Sequence, residues 1–265
     1  SERWFELDKT KVSQYAFTTY PANTHYINAG TDLPLNSSWN LSYDTRLNIS
    51  SNKSNADNKI DVFQFNSGTP FGESSSSIKN ETRSGYWTNT LNAKLKIDTS
   101  GSEWTTSFEY NYFKSNNEQN YNNRQLMPLQ QYSSGDGSGI SVKDIFNMQS
   151  DLVWKLPQKY TFEAGFKHNI SNSKNTTQYF VDSGNGIRKV DSFQTNTYKY
   201  KEQITAVYLQ ASKTFYGFTL KPGIRVEHTN IVGNQVVPSD TAFSIKRTDL
   251  FPYMYLRHKL FSIFK

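Results

Sequence analysis

The side chains of this chain that could do chemistry are charges set at alternate positions of otherwise apolar segments. Arg46 lies between Thr45 and Leu47, Glu109 between Phe108 and Tyr110, Glu163 between Phe162 and Ala164, and Lys167 between Phe166 and His168. Lys221, Arg225 and Glu227 alternate in the same way with Leu220, Ile224 and Val226. Successive side chains of a strand point to opposite faces, so these charges share a face that the apolar residues avoid. Two readings follow. They could line a wet cavity and meet a passing solute, because charge at mid-depth is tolerated only beside water or a partner charge. Equally, they could be cross-strand ion pairs that solvate a wall, each contributing about 0.2 to 1 kcal/mol.

A second set, Phe65, Phe71, Tyr121, Tyr132 and Tyr179, falls in stretches rich in Ser, Asn and Gly. If those stretches are loops, the rings could grip a sugar or a chelate, since loops on a rigid scaffold commonly carry recognition. They could equally pack the loops against one another. The run Ser133 to Gly139 offers oxygen atoms and glycines but lacks the spaced carboxylates of a calcium loop, so a mobile tip is expected there and at Ser74 to Ser77.

Catalysis finds no support. The histidines His25, His168, His228 and His258 are far apart and form no His-Glu-x-x-His pair. There is no phosphate-cradling glycine loop, no nucleophile elbow and no cysteine. No catalytic residue, cofactor or metal ligand is nominated, and the chain is not expected to be an enzyme.

The elements that carry these residues are strands. From Trp39 the odd positions read Trp, Leu, Tyr, Thr, Leu, Ile as far as Ile49, with Asn, Ser, Asp, Arg and Asn between them. Alternation of the same kind starts at Trp104, Tyr160 and Phe218, and weaker versions occupy about 24–33, 86–98, 145–156, 199–215 and 249–261. That predicts about nine strands of roughly 10 residues and no helix. The 265 residues are 15% aromatic and have a mean hydropathy of −0.72. Disordered chains are poor in aromatics, so the low hydropathy does not mean disorder. No run approaches the roughly 18 to 20 apolar residues of a membrane helix. The 29 basic residues against 23 acidic ones are dispersed, unlike the stripe of a nucleic-acid binder.

Short and long connections alternate. Residues 34–38, 98–103, 157–159 and 216–217 are tight, whereas 51–84, 116–144, 172–198 and 230–248 are long and polar. In an up-and-down sheet all the long ones lie at one end, which is the asymmetry of a transmembrane β-barrel with apolar-out, polar-in strands. Aromatics gather near both strand ends: Trp39, Trp104, Trp154, Tyr160, Phe215, Tyr216 and Phe218 at the tight turns, and Tyr86, Trp87, Tyr112, Phe113, Phe146, Tyr198 and Tyr200 at the other end. Two belts at headgroup level are expected of such a barrel. The rival is a soluble sandwich, such as a carbohydrate-binding module with the apolar residues sealed between two sheets. A barrel that is a structural outer-membrane component without transport is a further alternative.

Residues 200–261 carry a resemblance. Tyr200, Glu202, Ile204, Ala206 and Tyr208-Leu209-Gln210 give YxExIxAxYLQ, Gly223 to Thr229 gives GxRxExT, and Leu250-Phe251-Pro252 gives LFP. In that order the three motifs resemble the outer-membrane β-barrel proteins of Bacteroidetes in the TonB-dependent receptor superfamily. The resemblance implies an outer-membrane receptor of a Gram-negative bacterium that takes up or binds a nutrient such as an iron chelate, glycan or peptide. It implies lipid around the barrel, an N-terminal plug domain, a TonB-type energy transducer and, in some members, a surface lipoprotein, with no role for nucleic acid. Neither plug nor TonB box is visible. Nine strands would not close a barrel of even strand number, and the chain opens at Ser1 without Met or signal peptide, so residues 1–265 are expected to be one portion of a larger barrel.

Overall fold

The computed structural model describes residues 2–5, 9–64, 68–237 and 239–258. Twelve strands form one antiparallel sheet. They are β1 (Glu2–Phe5), β2 (Thr10–Thr19), β3 (Ala22–Pro34), β4 (Trp39–Gln64), β5 (Pro70–Lys96), β6 (Glu103–Met127) and β7 (Gln131–Leu156), then β8 (Tyr160–Asp182), β9 (Lys189–Val190), β10 (Asn196–Phe215), β11 (Phe218–Val237) and β12 (Thr241–His258). Their order is β1-β2-β4-β5-β6-β7-β8-β10-β11-β12, with β3 beside β4 and β9 beside β8. β2 and β3 share one neighbour: β2 pairs with the far half of β4 (Asn55 to Gln64) and β3 with the near half (Asn40 to Asn52). The nine strands expected from alternation are β3 to β8 and β10 to β12, and β1, β2 and β9 are additions to them. The last expected strand ran to residue 261, of which 259–261 lie outside the described residues.

The register makes the faces continuous. Trp39, Leu95, Trp104, Leu152, Ala164, Leu209, Ile224 and Pro252 form one row across eight strands. The next row on that face runs Leu41, Ala93, Thr106, Ser150, Phe166, Val207, Val226 and Leu250. No second layer covers them. Phe162 is 43% exposed, Leu209 56%, Ile224 41% and Phe218 38%, and Ala206 is the one buried hydrophobic residue among those described. A sandwich would seal this face between sheets, so the soluble-module alternative is overturned. Such a broad apolar surface needs a non-aqueous partner.

The tight turns follow from local chemistry. Tyr216 and Gly217 both have positive φ, 45° and 81°, the two-residue hairpin geometry that matches strand twist. Asn36 accepts amide hydrogens from Ser38 (2.9 Å) and Trp39 (2.8 Å), and Asp98 does the same for Ser100 (2.8 Å) and Ser102 (2.9 Å). Each side chain supplies the acceptor that the reversing backbone lacks.

The other end departs from expectation. The stretches expected as long loops are largely strand: β4 and β5 face each other from Lys53–Glu81 out to Phe63–Pro70, and β6 and β7 as far as Gln125–Gln131. Ser133 to Gly139, expected as a mobile tip, is part of β7 with β6 on one side and β8 on the other, and Ser74 to Ser77 is part of β5. The reason is that a ladder needs backbone pairing and not apolar residues. Beyond the apolar band both faces are polar, so the alternation that marks a strand in sequence fades while the hydrogen bonding continues.

The second aromatic belt is also half as broad as expected. Trp87, Tyr112 and Phe146 lie on the apolar face, with Trp87 edge-on to Tyr110 at 6.4 Å, but Tyr86, Phe113, Tyr198 and Tyr200 point to the polar face. The belt at the turns holds better. Trp39 and Trp104 meet edge-to-face at 5.8 Å, and Trp154, Tyr160, Phe215 and Phe218 share their face.

Five glycines on the polar face each lie directly opposite an aromatic residue: Gly135 under Tyr121, Gly137 under Tyr179, Gly165 under Tyr208, Gly223 under Tyr253 and Gly233 under Phe243. A Cβ at any of them would collide with the ring. Laying an aromatic across a strand glycine covers backbone that would otherwise go unpacked. Gly165→Ala is therefore expected to cost about 1 to 3 kcal/mol by overpacking. Thermal unfolding in detergent measures it, and the cost should shrink in a Tyr208→Ala background, where only the Asp151 carboxylate must still give way.

Candidate functional site

The candidate site is the polar face and the cleft at its far end. All seven charges expected as a lining, Arg46, Glu109, Glu163, Lys167, Lys221, Arg225 and Glu227, lie on this face. They do not form one cluster. In the middle, Glu109 Oε1 accepts from Asn111 (2.6 Å) and Asn147 (3.1 Å), and Asn147 in turn accepts from Asn169. Asn111 also accepts from the Tyr86 hydroxyl (2.9 Å) and the Thr88 hydroxyl (2.8 Å). The result is a chain of side chains running across β5, β6, β7 and β8.

Nearer the tight turns, Lys221 pairs with Glu163 at 2.7 Å, and Gln210 donates to the same carboxylate while accepting from the Tyr253 hydroxyl at 2.6 Å. The Tyr208 hydroxyl donates to Asp151 at 2.6 Å. Arg225 pairs with Glu227 at 2.6 Å, and Arg46 with Asp44 at 2.7 Å. Lys167 stands between Gln149 and Ala206 in its row. Asn111, Asn147, Asn169 and Asp151 were not singled out from the sequence. Their signal was present, since each occupies the parity of the charged residues, but asparagines are too numerous in this chain for type alone to select them.

The motif residues of 200–229 gain a structural meaning here. Tyr200, Glu202, Ile204, Ala206, Tyr208 and Gln210 all fall on the polar face, as do Gly223, Arg225, Glu227 and Thr229. Their x positions, such as Val207 and Ile224, make up the apolar face. Ala206 is small because it is nearly closed over, at 2% exposure, between Lys167 and Glu227.

At the far end, the polar face opens into a cleft of about 650 Å³. It is lined by Asn58, Ile60, Ser74 to Ser76, Asn123 to Gln125, Gln130 to Ser133, Ser183 and Gly184. Hydroxyls and carboxamides dominate this wall, and they both donate and accept. Among the aromatics expected as loop contacts, Tyr132 borders the cleft, but the register sets its ring with the Arg124 guanidinium, 5.3 Å away, on the face opposite to Gln125 and Gln131. Tyr121 and Tyr179 lie on the polar face nearby, over Gly135 and Gly137. Phe71 is in β5 at 46% exposure and does not line the cleft, and Phe65 lies outside the described residues. None of the four described aromatics sits on a loop, because the segments that hold them are strand.

β9 is fastened beside this cleft by one cation. Arg188 forks onto Asp136 of β7 (Nε 2.8 Å, Nη2 2.5 Å) and stacks on Phe180 at 3.3 Å. Hydrogen bonding from Arg188 holds the Asp136 carboxyl below the usual carboxylate range. Among the described residues no group of His, Asp and Glu is placed to hold a metal ion.

A model of the outer membrane protein beta-barrel family matches residues 95–263, well over half of the chain. The chain belongs to that family. It is therefore an outer-membrane β-barrel chain of the Gram-negative envelope, crossing by strands; no described helix is long and apolar enough to cross. No curated protein matches. Among solved structures, the siderophore receptor PiuA from Acinetobacter baumannii is similar at 8% identity and a TM-score of 0.44, over 94% of this chain and 47% of that one. The FpvAI–pyocin S2 complex is similar at 8% identity and a TM-score of 0.49, over 94% and 41%. The ferric-catecholate import receptor Fiu from E. coli K12 gives 7% identity and a TM-score of 0.43, over 94% and 47%. The chain spans about half the length of the receptors it matches.

Because Asp136 is the member with the lowered pKa, its pairing with Arg188 is complete above pH about 4 and lost as pH falls through the depressed value. The protection of the β8–β9 amides, relative to their intrinsic exchange at each pH, should therefore fall in acid below that point, and Arg188→Ala should produce the same fall at neutral pH.

Proposed function

We propose that this chain is part of the barrel wall of a TonB-dependent-receptor-type protein that takes up or binds a nutrient at the cell surface. Its apolar face meets lipid and its polar face looks into the lumen. The observation that carries this reading is the polar face, with a continuous hydrogen-bonded wall through the apolar band and a hydroxyl- and amide-lined cleft at the end away from the tight turns. Short turns face the periplasm in such barrels, so the cleft opens outward. Its donors and acceptors, neutral apart from Arg124, suit a polyhydroxylated ligand such as a glycan. The motifs of 200–253 support the finer resemblance to Bacteroidetes receptors, and with it a plug domain, a TonB-type transducer and a surface lipoprotein as partners.

Among the described residues the sheet is open: β3 has only β4 beside it and β12 only β11. Unpaired amides are not viable against hydrocarbon, so further strands complete the barrel. In this reading Glu109, Glu163, Lys167, Lys221, Arg225, Glu227 and Arg46 line the lumen, chiefly as solvating pairs, and the cleft residues carry recognition.

The test is the triple variant Asn123→Ala, Gln125→Ala and Gln131→Ala in the intact receptor, with surface display checked by antibody. Uptake of one labelled substrate from a panel of oligosaccharides and ferric chelates should fall at least tenfold and should need TonB in the unmutated protein. Full uptake by the variant, or the absence of any TonB-dependent uptake, would favour a structural barrel without transport.

A further inference from the structure

Where the apolar face ends, on the side of the polar strand extensions, the sequence turns basic on one row. The register aligns Gly85, Lys114, Val142, Lys174 and Lys199 across β5, β6, β7, β8 and β10, and Lys201 falls on the adjoining deeper row. All project on the apolar face and not toward the polar face. Lys174 and Lys199 are direct cross-strand partners, and like charges so placed repel. Among the described residues neither of them, nor Lys114 or Lys201, has a carboxylate within ion-pair distance. The nearby acid on this face, Asp144, already accepts the Tyr110 hydroxyl at 2.9 Å. A hollow of about 330 Å³ lies between Lys174, Lys199 and Lys201, with Asn172, Asn234 and the Tyr110-bonded Asp144 also on its wall, so three cations face one carboxylate. Val232 lies one row deeper, and Phe146 and Ile170 two rows deeper, on the same face.

Three ammonium groups around a hollow, above an apolar slope, have the shape of a lipid site. We infer that Lys174, Lys199 and Lys201 bind the phosphate of a phosphorylated glycolipid in the outer leaflet, its acyl chains running down over Val232, Phe146 and Ile170. The inference rests on the reading that the apolar face meets lipid. The anion relieves the Lys174–Lys199 repulsion, for which no described carboxylate stands within ion-pair distance. A lipid, and not a free anion, is favoured because the three lysines stand on the same face as the apolar band, at its outer margin, where a membrane would hold a headgroup. The site would fix the depth and rotation of the barrel wall and stiffen the β8–β10 junction below the cleft.

The test uses the intact protein in nanodiscs of phosphatidylcholine containing a few per cent of diphosphoryl lipid A, with retention of that lipid read by native mass spectrometry. Combined Lys174→Gln, Lys199→Gln and Lys201→Gln substitution should weaken retention by roughly fivefold per lysine, on the order of a hundredfold in all. Lys143→Gln, at the same height on the polar face, should leave it unchanged. Equal retention by the triple variant, equal retention of the dephosphorylated lipid, or displacement by millimolar inorganic phosphate would each overturn the lipid site. Quenching of Trp87 by brominated acyl chains, read against Trp87→Phe, tests the orientation separately. Quenching without phosphate selectivity sinks the lipid site alone, whereas no quenching sinks the lipid-facing reading with it.

Discussion

A backbone amide in hydrocarbon has no water to bond, and this constraint governs the rest of the molecule. It is met here by a ladder in which the long inner strands, β4 to β8, β10 and β11, have a partner on both sides. Once the ladder is in place, side chains need only suit the medium on their own face. That is why the chain has almost no conventional core: the apolar residues that would fill one are spread over an exposed face, and lipid serves as their interior. The band they cover is about 9 to 11 residues deep, which at the tilt of a barrel strand matches a hydrocarbon layer of roughly 25 Å.

The polar face solves a different problem. With no dry core to lock the strands, specificity of register comes from cross-strand locks on this face. The Tyr208 ring lies on Gly165 while its hydroxyl holds Asp151, and the Tyr253 ring lies on Gly223 while its hydroxyl holds Gln210. A one-residue slip would turn every such pair out toward the apolar side, and would carry Glu109 and Glu163 with it. The motif spacing of 200–229 is thus the period of one strand face, on which Tyr208 and Gln210 engage the neighbouring strand while Tyr200 pairs with Glu202 and Arg225 with Glu227 along their own.

The two ends of the sheet divide the work. The tight-turn end closes with minimal chain and is decorated with aromatics on the apolar face. The other end carries the ladder well past the apolar band, which lifts a hydroxyl- and amide-rich cleft clear of the membrane on a rigid two-sided support. Donors carried on strands are held more firmly than donors carried on loops, and the Arg188 fork to Asp136 adds a further fastening beside the cleft.

Period-two alternation, clear in Trp39–Ile49, Trp104–Tyr112, Tyr160–Phe166 and Phe218–Val226 and weaker in five further segments, is enough to read nine strands, their faces, the tight turns and the shared parity of the seven charges, because lipid on one side and water on the other write that period into residue type. The alternation is silent where both faces meet water, so Ser133 to Gly139 and Ser74 to Ser77 read as loop although the backbone pairs them as strand. Aromatic type alone likewise could not assign Tyr86 or Tyr200 to a face, since a ring is as useful over a polar wall as at a headgroup. Composition and alternation determined the medium, the sheet and the two faces. Only the tertiary register decided which side chains meet: Glu109 with Asn147, Tyr208 with Gly165, Lys174 with Lys199. Partners across strands are set by hydrogen bonding between segments distant in the chain, and that alignment is not contained in any one segment.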